Sequence, residues 1–203
     1  MLNRVSSDRI RLGPPADDDL DWILGELRDP ETARTLGWMN GIGSEIYTGY
    51  VEGTALLLPF WNRAHERIGF FMLRRPDLRV RTWSVFVVVP KPSHRNAFSA
   101  LAACDALCYM VFDVQHDDGL IWRIEPENGA SLALPKRLGY PKHTDIAVEG
   151  TLYCEFCIGP ADWVARKERL GQRVPKFRAT SVPLAEVAHG RILEVIRATT
   201  PTW

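Results

Sequence analysis

The sequence predicts an α+β domain built in layers, with a mixed, mostly antiparallel central sheet and helices on both faces. Two observations carry this. Between residues 54 and 90, three apolar, β-branched or aromatic runs (TALLLPFW, ERIGFFMLRRP and VRTWSVFVVVP) are separated only by NRAH and PDLR, which reads as an antiparallel meander. SVFVVVP then leads through KPSHRNAFSA into the helical run LAACDALCYMVFD and on to LIWRIE. Strand, helix and strand in that order make a right-handed crossover, so the strand at 120–125 is expected to lie parallel to the one at 83–89.

At 203 residues and 46% apolar content the chain is long enough for one domain with a substantial core. Its 25 basic residues balance 25 acidic ones, so bulk charge favours neither nucleic acid nor membrane, and any such contact has to rest on local charge. No apolar run approaches the roughly 18–20 residues of a membrane span. MLNRVSSDRIRLG lacks the apolar segment of a secretory signal, so a cytoplasmic protein without a membrane partner is expected.

Taken in order, RIRLGPP (9–15) reads as a short first strand ended by Pro14 and Pro15. Asp17, Asp18 and Asp19 then supply negative charge and capping oxygens for a helix with Leu20, Ile23, Leu24 and Leu27 on one face, stopped by Pro30. A second helical region, ETARTLGWMNG and SEIYTGYVEG, is interrupted by Gly41 and Gly43. Trp38 and Asn40 in that loop are candidates to line a pocket; packing of Trp38 into the core is the plainer alternative. The third meander strand is the most apolar and is expected to be central and buried on both faces. The helix from Phe98 to Val114 is apolar nearly all round and must pack tightly on the sheet. After the strand at 120–125, Asn128 is placed to cap the helix GASLALPKR and Gly139 to close it, and EGTLYCEFCIG (149–159) gives the last strand.

Residues 166–203 change character. RKERLGQRVPKFR (166–178) is basic, and PLAEVAHGRILEVIRA has the pattern of an amphipathic helix. The organisation expected is a domain over 1–165 followed by a basic linker and a terminal helix packed on that domain or on a partner. Nucleic-acid contact through 166–178 is the less favoured alternative, and a homodimer is left open.

Cys104 and Cys108 are four apart on a predicted helix and share a face, whereas Cys154 and Cys157 fall on opposite faces of a strand. No second pair and no histidines at ligand spacing accompany this CxxC, so free thiols are expected and no metal.

Arg95-Asn96-Ala97-Phe98-Ser99-Ala100 at the mouth of the long helix, Asn128-Gly129-Ala130-Ser131 followed by Leu138-Gly139-Tyr140, and Val148-Glu149-Gly150-Thr151-Leu152-Tyr153 with Asp162-Trp163 further on stand in the order of three family motifs. Over about residues 8–165 the chain resembles the GCN5-related N-acetyltransferase (GNAT) superfamily, closest to its ribosomal-protein N-acetyltransferase-like branch. In the pyrophosphate loop Arg95 and Ala100 match, while Phe98 replaces the central glycine that lets the backbone approach the phosphates.

The resemblance implies a parallel pair of strands that splay apart and an acyl-CoA-dependent N-acyltransferase. The cosubstrate would be acetyl-CoA and the acceptor a primary amine on a small molecule, peptide or modified macromolecule, attacking directly in a ternary complex. Val87, Val88 and Val89 would hold the acyl carbonyl and pantetheine through their backbone. His94 and Arg95 to Ala100 would meet the pyrophosphate, and Asn128 and Ser131 would flank the pantetheine arm. Several relatives carry a glutamate where this chain has Arg123, so Glu125, two residues on, is the first candidate for the base and Glu127 the second. Relatives carry an acid tyrosine where this chain has Pro135; Tyr140 and Tyr153 are candidate substitutes. Trp38, Asn40, Trp83 and Arg123 are assigned to the acceptor side. Phe98, Arg123 and Pro135 also support an alternative reading as a degenerate binding or regulatory module, beside a nucleic-acid-modifying enzyme of the same fold.

Overall fold

A computed structural model describes residues 2–30, 49, 52–94, 97–148 and 150–182. The described residues form a 9-stranded sheet in the order β7-β8-β6-β5-β4-β3-β2-β1-β9. In chain order the elements are β1 (Leu2–Ser6), β2 (Ile10–Leu12), α1 (Asp17–Arg28), β3 (Ala55–Asn62), β4 (Arg67–Arg74), β5 (Thr82–Val88) and α2 (Ala97–Cys108). They continue with β6 (Gly119–Ile124), α3 (Gly129–Leu138), β7 (Thr144–Val148), β8 (Thr151–Ile158), α4 (Pro160–Leu170) and β9 (Arg178–Val182).

The meander β3-β4-β5 is antiparallel and β5 runs parallel to β6, as the sequence predicts. The single expected first strand is instead a hairpin, β1 with β2. The strand buried on both faces is β4, not β5. β4 lies between β3 and β5 with a layer on each side, whereas β5 alternates buried and half-buried residues because it faces a gap where β6 parts from it. Gly69 in β4 is required by this packing, since a Cβ there would collide with the Val88 carbonyl and the Phe60 ring.

Strand alternation sorts the core into two layers. On one face Leu58, Phe60, Phe71, Leu73, Trp83, Val85, Leu120, Trp122 and Phe156 pack with Ala103, Leu107 and Met110 of the α2 region. On the other face Phe70 and Val88 pack with Ile23 of α1, and Trp22 meets Phe70 edge-on at 5.8 Å between ring centroids. Asp19 fixes α1 to the sheet: one carboxylate oxygen accepts the Ala16 N–H at 3.1 Å and the other accepts Arg67 Nε–H at 2.8 Å.

The predicted helix over 98–114 is α-helical to Cys108 and π-helical over Tyr109–Val114. The Gln115 N–H reaches back to the Met110 carbonyl at 2.9 Å, a five-residue closure. The widened turn places Asp113 where its carboxylate accepts from Trp163 Nε1 at 2.9 Å and from Lys167 Nζ at 3.1 Å.

Within the basic stretch 166–178, residues 166–170 continue α4, and Arg178 opens β9, which pairs antiparallel with β1. The helical region around Trp38 and Asn40 and the terminal helix after Val182 lie outside the described residues, as do Arg95 and Asn96. Among the described residues, no helix is long and apolar enough to cross a membrane. The four cysteines are free thiols, with Cys154 buried and Cys157 exposed as their opposite faces require.

Candidate active site

The β5–β6 ladder runs from Thr82–Gly119 to Val85–Trp122 and stops there. Beyond that pair β5 stays bonded to β4 through Val88, and β6 stays bonded to β8 through Ile124. The two strands therefore open a cleft between them, and the N-terminal turn of α3 closes one end of it. Asn128 shapes this end. Its Oδ1 accepts the Ser131 N–H at 3.1 Å, its own N–H donates to the Glu125 carbonyl at 3.0 Å, and both Asn128 and Ser131 line the cleft. At the other end of α3, Gly139 adopts φ 78°, the left-handed closure its position calls for. Arg169 of α4 donates to the carbonyls of Leu138 (2.9 Å) and Gly139 (3.2 Å), which end α3.

Alternation along the strands gives the cleft two unlike walls. Val85, Val87, Trp122 and Ile124 face the α2–α3 side and make an apolar wall with Leu134. Trp122 is 4% exposed, and its Nε1–H is buried with no hydrogen-bond partner among the described residues. Phe86, Arg123, Glu125 and Tyr153 face the opposite side. There Arg123 Nε–H donates to Glu155 Oε2 at 2.9 Å, while Glu155 Oε1 accepts from Cys157 Sγ at 3.7 Å. Burial and the neighbouring Glu155 push the Cys157 thiol above its ordinary pKa.

Of the residues assigned from sequence, Val87, Glu125, Asn128, Ser131 and Arg123 meet in this cleft. Val88 turns its side chain to the α1 side, and Val89 is half-buried against the core. His94 ends a 3₁₀ turn, with its Nδ1 buried and lacking a partner among the described residues. Phe98, Ser99 and Ala100 lie in the first turn of α2, which Ala97 opens; Phe98 is 84% exposed, so its ring stands in solvent rather than in the fold.

Three assignments fall elsewhere. Trp83 is buried on the α2 side, its Nε1 donating to Asp117 at 2.8 Å with Arg75 stacked 4.3 Å over its ring, so it serves the core and not the acceptor side. Tyr140 is 2% exposed, its hydroxyl 3.5 Å from Cys108 Sγ, and burial first, then Cys108, drives its pKa far above the ordinary value. It does not line the cleft. Glu127 is exposed at the corner and does not line the cleft. Sequence reading missed Trp122, Phe86, Ile124, Leu134 and Glu155. Only the strand order β8-β6-β5 places Glu155 opposite Arg123 and Trp122 beside Val85, and no local pattern encodes that order.

No protein-family model matches the chain, and no curated protein matches its sequence. Solved structures do match in fold. A spermidine N-acetyltransferase from Vibrio cholerae, in complex with CoA and spermine, superposes with TM-score 0.63 at 12% identity over 76% of this chain and 98% of its own. The aminoglycoside acetyltransferase AAC(6')-Ib in complex with coenzyme A gives TM-score 0.64 at 9% identity, over 77% and 98% of the two chains. A spermidine N-acetyltransferase chimera from Vibrio cholerae and hSSAT gives 0.62 at 12% identity, over 76% and 98%. The chain has the GNAT fold, which the order and spacing of its elements already suggest.

Proposed function

We propose that the chain is an acyl-CoA-dependent N-acyltransferase that transfers an acyl group, with acetyl-CoA as donor, to a primary amine. The observation that carries this reading is the parting of β5 and β6 beyond Val85–Trp122 beside the Asn128-capped start of α3. The residues present fit coenzyme A. The cleft offers an apolar wall to a thin, flexible arm, and the orphaned Trp122 Nε1–H needs an acceptor that a pantetheine amide would provide. Coenzyme A in two of the structural neighbours points the same way.

On this reading Trp122, Asn128, Ser131 and the backbone around Val87 hold the arm, and the start of α2, with His94 and Ser99, meets the pyrophosphate. When bound, acetyl-CoA supplies an acyl group activated as a thioester. The protein's part is to position the amine, take its proton and keep water away. Glu125 lies in the cleft with its carboxylate exposed and is the base that takes the amine proton, directly or through one water. Tyr153 sits on the same wall and its hydroxyl is the proton donor for the departing thiolate. Free thiols at all four cysteines accord with a cytoplasmic site of action.

Calorimetry with acetyl-CoA tests the reading: micromolar binding is expected, and none up to millimolar concentration overturns it. Glu125→Gln is expected to lower turnover by about 100-fold while acetyl-CoA affinity stays the same. Unchanged turnover rejects the base assignment.

A further inference from the structure

We infer that the acceptor carries an anionic group, a carboxylate or a phosphate, near its amine, and that Arg123 reads it. The inference rests on the acyltransferase reading and names the substrate class for its acceptor wall. Among the described residues, Arg123 and Glu125 are the one cation and the one anion that line the cleft. Arg123 lies in the last pleat of β6 and Glu125 is the first residue beyond that strand, so the two are at most about 7 Å apart along the chain. The Arg123 guanidinium is held on one side only: Nε–H is bonded to Glu155 Oε2 at 2.9 Å, and its two terminal nitrogens have no hydrogen-bond partner among the described residues. Glu155 is only 9% exposed, so the anchor is fixed, while the Arg123 side chain keeps 39% of its surface open.

A guanidinium anchored through Nε and open at both terminal nitrogens is a fork for two parallel N–H···O bonds to one carboxylate or phosphate. Glu155 acts here as a positioning residue, since it sets the fork without lining the cleft. The amine faces Glu125 and the anion faces Arg123, which suits an acceptor whose two groups are separated by roughly three or four carbons. The same guanidinium opposes a second cationic group at that place, so polyamines are disfavoured.

Initial-rate kinetics with acetyl-CoA on 4-aminobutyrate, 3-aminopropyl phosphate, n-butylamine and 1,4-diaminobutane test this. At least one anionic amine is expected to show a kcat/KM tenfold or more above both others, and the better of the two identifies carboxylate or phosphate. Arg123→Lys keeps a charge beside the buried Glu155 but removes the fork, and is expected to reduce that preference at least fivefold with acetyl-CoA affinity unchanged. Equal or better use of 1,4-diaminobutane, or an unaltered preference in Arg123→Lys, overturns the inference. If acetyl-CoA does not bind, the acyltransferase reading fails by itself. Calorimetry of the two anionic amines on the chain alone then decides: binding weakened by Arg123→Lys upholds the inference, and no binding up to millimolar concentration overturns it.

Discussion

Tyr140 and Tyr153 show what burial does to identical side chains. Both are plausible acids when seen as letters in the sequence, yet Tyr140 is locked against Cys108 in the core and Tyr153 opens onto the cleft. Tyr140→Phe is expected to leave turnover within about twofold and to cost about 1 kcal/mol or less, the worth of one weak hydrogen bond. Tyr153→Phe is expected to lower kcat by at least about tenfold with KM for acetyl-CoA unchanged. Steady-state kinetics and urea unfolding of both variants check this pair. The thiols around Tyr140 carry a second expectation. Burial pushes Cys108 up to about 12 and raises Cys104 well above its ordinary value of 9.0. Below pH 9 these thiols are protonated in both folded and unfolded chains, and their contribution to stability is fully present. Between about pH 9 and 12 the unfolded chain releases protons that the folded chain holds, so stability falls as pH rises, by up to about 1.4 kcal/mol per pH unit for each thiol. Urea unfolding at pH 8 and pH 10 is expected to show that loss, and Cys108→Ala to reduce it; identical losses in both proteins would contradict the assignment.

At the scale of elements, the site depends on where β5 and β6 separate and on how α3 begins there. Asn128 does two jobs at that point: it caps α3 through Ser131 N–H and presents its side-chain amide to the cleft. Asn128→Ala removes both and is expected to cost about 1 kcal/mol of stability and to weaken acetyl-CoA binding. Asn128→Asp keeps the capping oxygen but loses the amide donor, so thermal stability is expected to recover while affinity does not. Recovery of both would mean that the cap alone matters. Asn128 and Gly139 were legible in the sequence because capping is local chemistry, and the meander was legible because its strands are consecutive. The pairing of β9 with β1 and the contact of Arg123 with Glu155 were not legible, because each depends on strands that are distant in the chain. The hairpin β1–β2 escaped for another reason: LNRVS carries only Leu2 and Val5 as apolar residues, too weak an alternation to mark a strand although its partner follows directly. The π-helical stretch was hidden for a related reason: the apolar run of 98–114 fits either helix, and the interlock with Asp113, Trp163 and Lys167 accompanies the wider turn.

On the scale of the whole molecule, α4 is tied to α2 and α3, and β9 to β1, by residues beyond the boundary at 165 that the sequence suggested. Arg166 forms a two-pronged pair with Asp105 of α2, at 3.1 and 3.2 Å, and Asp105 is only 5% exposed. Burial raises the Asp105 pKa even though Arg166 counteracts it, so the carboxylate depends on its partner to stay charged inside the fold. Arg169 satisfies the carbonyls that end α3, and β9 covers the free edge of β1 along Leu2–Ser6. Cutting the chain after Ala165 would remove all three supports at once. Leaving Asp105 buried without Arg166 alone costs on the order of 3–5 kcal/mol, a large part of the 5–15 kcal/mol typical of a whole domain. The truncated chain is therefore expected to lose its cooperative thermal transition or to melt at least about 15 °C lower. Asp105→Asn within the truncated chain is expected to recover several degrees, because it removes the uncompensated charge while keeping the shape. A truncated chain that melts cooperatively within a few degrees of the full one, with no gain from Asp105→Asn, would show that residues 166–182 ride on the domain rather than complete it.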